Sequence, residues 1–334
     1  MKKLKKIDFY LIPLFSVMLI SVILRTVALF TSFNSTTMHF ENKAAILVSG
    51  ILVAIASVGF CSYLFLGDKE RELISTSANP ATYIPAGLVS CALLFMGVHC
   101  LTSAATQYVD PLPLLLTICA VLAFVSVASF FLSVFIEQGA RVYKAAFSLA
   151  IVLFLALYAT YLFFNKSVHP TNSPNKVLDQ LAYVSAAVFF LYESRIHLGR
   201  AKWRGYVCFG LIASLLTAYS ALPSLIVYAA TGYTVSDSIV ESALSLLLCL
   251  LITSRVIQSA SLTPAEKCAA AIDIERLAAK RDAEIKESSL AHARDNDNGS
   301  EDMQESSNYT FDIPYVDDGS DLSGDSAEID LTNQ

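Results

Sequence analysis

The 334-residue chain is 55% hydrophobic and only 16% charged, with a mean hydropathy of +0.56, well under the ~25% charge of soluble domains. Its net charge of -6 conceals an asymmetry: residues 1–257 carry 17 Lys/Arg and 11 Asp/Glu, whereas residues 258–334 carry 6 and 18. That balance excludes an ordinary soluble enzyme domain and, with its long polar region acidic, nucleic-acid binding. It points to an all-α, polytopic membrane protein with a helical and then disordered cytoplasmic tail.

The basic start MKKLKK leads into an apolar run longer than the ~7–15 residues of a signal-peptide core, so the expectation is a retained first span. A helix crosses the hydrocarbon core with about 20 mostly apolar residues. Eight segments meet that requirement, at about 8–30, 44–66, 82–102, 112–136, 142–164, 177–194, 205–230 and 237–257. The basic residues arbitrate orientation. With the N-terminus in the cytoplasm, 13 Lys/Arg fall in inside segments and 3 in outside loops, as the positive-inside rule requires. The reading is a cell-membrane protein with both ends cytoplasmic. Pro223 lies inside the seventh segment, where proline removes a backbone donor and bends a helix.

Arg25 interrupts the first apolar run, SVILRTVALF. Counting 1.5 Å per residue places it roughly 7 Å below the outer surface. In the last span Asp237, Ser238, Glu241 and Ser245 share one helical face, and Glu241 lies at roughly 6 Å depth. Glu241 is therefore the expected partner of Arg25. Three readings compete: an unpaired arginine snorkelling outward, an ion pair closing the bundle, or a pair lining an outward-facing polar pocket. His99 and Asp179 lie at similar depth and would complete such a pocket.

The loop SRIHLGRAKWRGY holds Arg195, Arg200, Lys202 and Arg204 beside Trp203, the sole tryptophan. Basic residues and tryptophan favour an anionic lipid interface, although such a loop also serves simply to fix orientation. Beyond the last span, Thr263, Pro264 and Glu266 form a capping box for a cytoplasmic helix within 258–290. Residues 291–334 are acidic and poor in apolar groups, the composition of a disordered tail. One aromatic island, Tyr309, Phe311, Ile313 and Tyr315, breaks that tail and has the pattern of a docking peptide for a cytoplasmic protein.

The seven cysteines form no CxxC pair, and the five histidines show no metal-ligand spacing. The sequence contains no HExxH, GxSxG, phosphate-loop or dinucleotide-binding pattern. No cofactor, metal or catalytic residue is expected. The expected partners are membrane lipids and a tail-binding protein. The favoured function is a sensor, regulator or scaffold that recruits through its tail, with a small-solute transporter as the alternative.

Overall fold

The structure, a computed structural model, describes residues 6–34, 39–42, 44–66, 80–107, 111–135, 141–165, 173–198, 202–235, 238–261, 280–281 and 283–287. Its helices are α1 (Lys6–Ser32), α2 (Ala44–Cys61), α3 (Tyr63–Leu66), α4 (Pro80–Thr106), α5 (Leu112–Phe135), α6 (Arg141–Phe164), α7 (Pro174–His197), α8 (Trp203–Thr231) and α9 (Ile239–Ser261). Long apolar runs adopt this conformation because a helix satisfies its own backbone polar groups. The helices coincide with the eight apolar segments of the sequence, with ends shifted by a few residues and α3 continuing the line of α2 after a turn at Ser62.

Among the described residues, six helical segments are long and apolar enough to cross a membrane: Phe9–Ser32, Ala44–Leu66, Tyr83–Thr106, Ala145–Phe164, Trp203–Thr231 and Ile239–Gln258. α5 carries no charged residue along its 24 residues. α7 is as long as its neighbours but carries Lys176, Asp179, Glu193 and Arg195.

The packing order is cyclic. α4 lies on α5, α5 on α6, α6 on α7, α7 on α8, α8 on α9, and α9 returns to α4. α1 and α2 pair with each other and both lie against α8. The most enclosed helix is α8, because it touches α1, α2, α3, α7 and α9. Two of its glycines permit that crowding. A Cβ at Gly210 would collide with Val256 of α9 and press on Phe189 of α7, and one at Gly205 would collide with Tyr192 of α7. α8 ends in a left-handed cap at Gly232, φ 74°, whose N–H donates to the Tyr228 carbonyl at 2.8 Å.

The distribution of polarity is inverted relative to a water-soluble bundle. Phe9, Ile12, Ile55, Val58, Ile84 and Phe95 are exposed, while Ser21, Arg25, Asp179, Glu193 and Thr217 are buried. An apolar perimeter, with polar groups withdrawn into a mainly apolar core, is the arrangement suited to an apolar surrounding.

Two features were not anticipated. Phe33–Asn34 and His39–Phe40 form a two-residue antiparallel ladder between α1 and α2, with Phe33 opposite Phe40. Phe40 joins Ala28, Leu29, Val227 and Val235 in a small apolar cluster of its own. The chain divides into two units, Met1–Ala278 and Ala279–Gln334. In the second, residues 280–281 and 283–287 are helical and exposed. The expected capping box at Thr263, most of the helix following it and the whole acidic tail lie outside the described residues.

Candidate functional site

α7 places polar side chains in the bundle interior. Ser173 precedes it in extended conformation (φ -62°, ψ 128°), and Pro174 occupies the first turn, where its missing N–H is not needed. Asn175, Asp179 and Tyr183 then follow at intervals of four on one side of the helix. All three are buried.

Arg25 enters this region from α1 with a relative exposure of 0%. One terminal nitrogen, Nη1, donates to the backbone carbonyl of Tyr219, and Nη2 donates to Asn175 Oδ1 at 3.0 Å. The guanidinium carbon sits 5.0 Å from the centre of the Tyr219 ring, a cation–π contact. Why the Tyr219 carbonyl is available follows from the chain itself. In a regular helix that oxygen would accept from the N–H four residues later, which here is position 223, a proline without an N–H. Pro223 thus leaves a buried acceptor open inside α8, and Arg25 fills it.

The same site ties four helices together. The Tyr219 hydroxyl and Ser49 Oγ of α2 are 2.7 Å apart. Ser220 Oγ donates to Asp179 Oδ1. Asp179 acts electrostatically on Arg25, so the cation has a carboxylate in its field while its hydrogen bonds go to neutral acceptors. Nearby, Lys176 Nζ donates to the Asn165 carbonyl, and Asn165 Nδ2 donates to the Tyr161 hydroxyl at 2.8 Å.

The expected Arg25–Glu241 pair is corrected by this geometry. The hydrogen bonds of Arg25 go to Tyr219 and Asn175 rather than to Glu241, and the carboxylate that acts on it is Asp179. Matching depth along two helices does not make them neighbours: α1 packs on α2 and α8, while α9 packs on α4, α7 and α8. Snorkelling is likewise set aside, since the side chain is fully enclosed. Glu241 has a local explanation. Ser238 precedes α9, and its Oγ accepts the Glu241 N–H at 3.2 Å, which is the first half of a capping box. A glutamate in the first turn also suits the helix dipole. The Glu241 carbonyl accepts from the Tyr183 hydroxyl at 3.2 Å, and Ser245 hydrogen-bonds the same tyrosine. Tyr183 feels both Glu241 and Asp179. α7 therefore links the two residues that depth alone suggested were partners.

Of the other expected pocket residues, His99 is half-buried on α4, next to Cys100, which lies in the field of Glu241. Asp237 lies outside the described residues.

The described residues of the basic loop make separate contacts. Arg204 Nη1 donates to the Leu64 carbonyl at 3.2 Å, holding the start of α8 against α3. Arg195 lies 6.0 Å from the Tyr192 ring centre, half-exposed, and Trp203 stacks on Tyr206. Lys202 is exposed, and Arg200 lies outside the described residues. One ion pair escaped the sequence reading: Arg255 Nη2 approaches Glu193 Oε1 at 3.7 Å, joining α9 to α7. Both residues flank ends of expected spans, so their common depth was a usable signal.

Among the described residues no three His, Cys, Asp or Glu side chains gather as a metal site, and the six described cysteines are free thiols. The proposed docking residues Tyr309, Phe311, Ile313 and Tyr315 lie outside the described residues.

Comparison with protein-family models, curated proteins and solved structures gave no match for this chain.

Proposed function

We propose that this chain is an eight-span protein of the cell membrane, with both ends cytoplasmic, acting as a sensor, regulator or assembly partner whose acidic tail recruits a cytoplasmic protein. α5 and α7 bring the six candidate spans to eight: α5 carries no charged residue along its length, and α7 carries four. Both have 24 residues, about 36 Å of helix, against a hydrocarbon core of roughly 30 Å. Asn175, Lys176, Asp179 and Glu193 of α7 turn into the bundle, where lipid does not meet them.

The observation that carries a non-transporting role is the state of the Arg25 site. Its hydrogen bonds are made by the protein's own carbonyl, amide and hydroxyl groups. A solute pocket built on this arginine would leave its terminal nitrogens for the solute, and here both are engaged, although Arg25 Nε and Asn175 Nδ2 have no hydrogen-bond partner. The rival, transport of a small solute, draws on Asp179 and Glu241, two buried acids whose charges both act on Tyr183. An Asp179→Asn variant that abolishes uptake into vesicles while keeping its melting temperature would favour that rival.

The test is site-specific photo-cross-linking in intact cells from residues placed at Tyr309, Tyr315 and Asn296. A cytoplasmic protein captured at the first two, and lost in Phe311→Ala, is the expected result. Equal capture at all three positions rejects docking. In the same cells an impermeant thiol reagent should label a cysteine at Asn34 and spare one at Ser300. The reverse pattern rejects the orientation.

A further inference from the structure

α2, α7 and α8 leave between them a crevice of about 420 Å³. Its walls are apolar, with Leu181 of α7 and Leu216 of α8 among them. Along α2 it runs from Ile46 to Ser57, eleven residues or about 16 Å at the helical rise. That length is half of a roughly 30 Å hydrocarbon core, the depth of one leaflet. The crevice lies on the flank of the bundle, since Ala54, Val177 and Leu181 in its walls are exposed. Gly50 lines it, and a Cβ built there meets nothing within 4 Å.

One end is polar. Asn175 lines it at the start of α7 and is 1% exposed. Arginine can only donate, so the Arg25 contact fixes the Asn175 amide with its oxygen toward the guanidinium. The amide nitrogen, Nδ2, then has no hydrogen-bond partner. Donation from Arg25 into Oδ1 polarises the amide and makes Nδ2–H a stronger donor. The other polar groups in the walls are engaged: Ser57 Oγ donates to the Val53 carbonyl at 2.8 Å, and the Tyr219 hydroxyl is with Ser49.

We propose that this crevice binds one acyl chain of a membrane phospholipid, whose ester carbonyl accepts a hydrogen bond from Asn175 Nδ2. An apolar slot one leaflet deep matches the chain. The unpartnered donor among its lining residues is a neutral amide, buried at the start of α7, and a neutral donor matches an ester carbonyl. A phosphate group would call for a cation, and Arg25 is enclosed behind the amide with both Nη groups in use. The inference requires the bundle to sit in a bilayer and is independent of what the tail recruits.

The full-length protein, reconstituted in phosphatidylcholine nanodiscs doped with a phosphatidylcholine bearing a diazirine on its acyl chain, supplies the test. After photolysis, labels should concentrate on α2 near Gly50 and on α7 near Leu181. Gly50→Leu, which fills the slot, should remove that concentration, and Gly50→Ala should retain it. Asn175→Asp keeps an acceptor for Arg25 but removes the donor, and should lower crevice labelling about fivefold, the worth of one neutral hydrogen bond. Ala54→Phe provides a second way to fill the slot if Gly50→Leu does not fold, as judged by its melting transition. Labels spread evenly over the perimeter, including Phe95 and Leu114, would overturn the proposal. So would a labelling pattern indifferent to both filling variants, or chain-to-chain cross-links through the crevice, which would make a second copy the occupant.

Discussion

Arg25 and Arg255 are two solutions to one problem, a guanidinium held inside an apolar bundle. Arg255 uses a direct carboxylate partner, Glu193 at 3.7 Å, and its side chain keeps 11% of its exposure. Arg25 is fully enclosed, and its two hydrogen bonds go to a backbone carbonyl and a side-chain amide, with Asp179 acting at longer range. The difference lies in what each neighbouring helix offers. α7 presents Glu193 directly to α9, whereas α8 offers α1 a carbonyl that Pro223 has released from the helical ladder. A charge can thus be lodged by a broken backbone hydrogen bond as well as by an opposite charge, and each defect removes the cost of the other.

The most direct way to break this comparison is to remove each arginine. Arg25→Met should lower stability by about 3–5 kcal/mol, because it strands the Tyr219 carbonyl and the Asn175 amide oxygen and takes the cation from Asp179. Arg255→Met should cost clearly less, since water at its partly open end can reach Glu193. Thermal unfolding of both purified variants, followed by circular dichroism in the same detergent, compares them. Equal losses would mean that enclosure, and the proline vacancy with it, contributes nothing special at Arg25.

A sharper test separates the vacancy from the charge. Replacing an interior proline by alanine normally stabilises a helix by about 3 kcal/mol. Pro223→Ala returns an N–H to the Tyr219 carbonyl, where it competes with Arg25. The gain should therefore be smaller in the native chain than in an Arg25→Met background, by about 1.5–3 kcal/mol, the range for hydrogen bonds to charged groups. The four melting curves of this cycle give the coupling. Identical gains in both backgrounds would show that Arg25 does not depend on the freed carbonyl.

The helices were legible in the sequence because an apolar run about 20 residues long leaves the backbone few alternatives. The partners were not. Depth along a span comes from counting residues, but adjacency depends on three-dimensional packing, and α1 settles on α8 through contacts that no pattern within α1 announces. Some signals were present and passed over. The spacing Tyr219–Pro223 marks an open carbonyl one turn before any interior proline. Ser238 and Glu241 have capping-box spacing, so the polar face of the last span had a local explanation before any pocket was needed. Gly205 and Gly210 foretell close contact but not its recipients. The Phe33–Phe40 ladder has only two residues on each side, too short for alternation to reveal.

The smallest expected effect sharpens the comparison most, because it asks whether depth alone creates coupling. Arg25 and Glu241 share a depth, yet one serves the α1, α7 and α8 junction, while the other stands in the first turn of α9, its N–H capped by Ser238 and its carbonyl accepting from Tyr183. Their common link runs through α7, where Asp179 acts on both Arg25 and Tyr183. Such indirect contact should carry little energy. In a double-mutant cycle with Arg25→Gln and Glu241→Gln, the losses should add to within about 0.5 kcal/mol, as for sites without direct contact. The parallel cycle with Arg25→Gln and Asp179→Asn should show coupling above that limit, because there the cation and the carboxylate act on each other. If instead Arg25 couples to Glu241 as strongly as to Asp179, the two acids behave as one buried charge cluster around Tyr183. Arg25 would then belong with Arg255 as an ion-paired residue, and the backbone carbonyl freed by Pro223 would be an accessory to it.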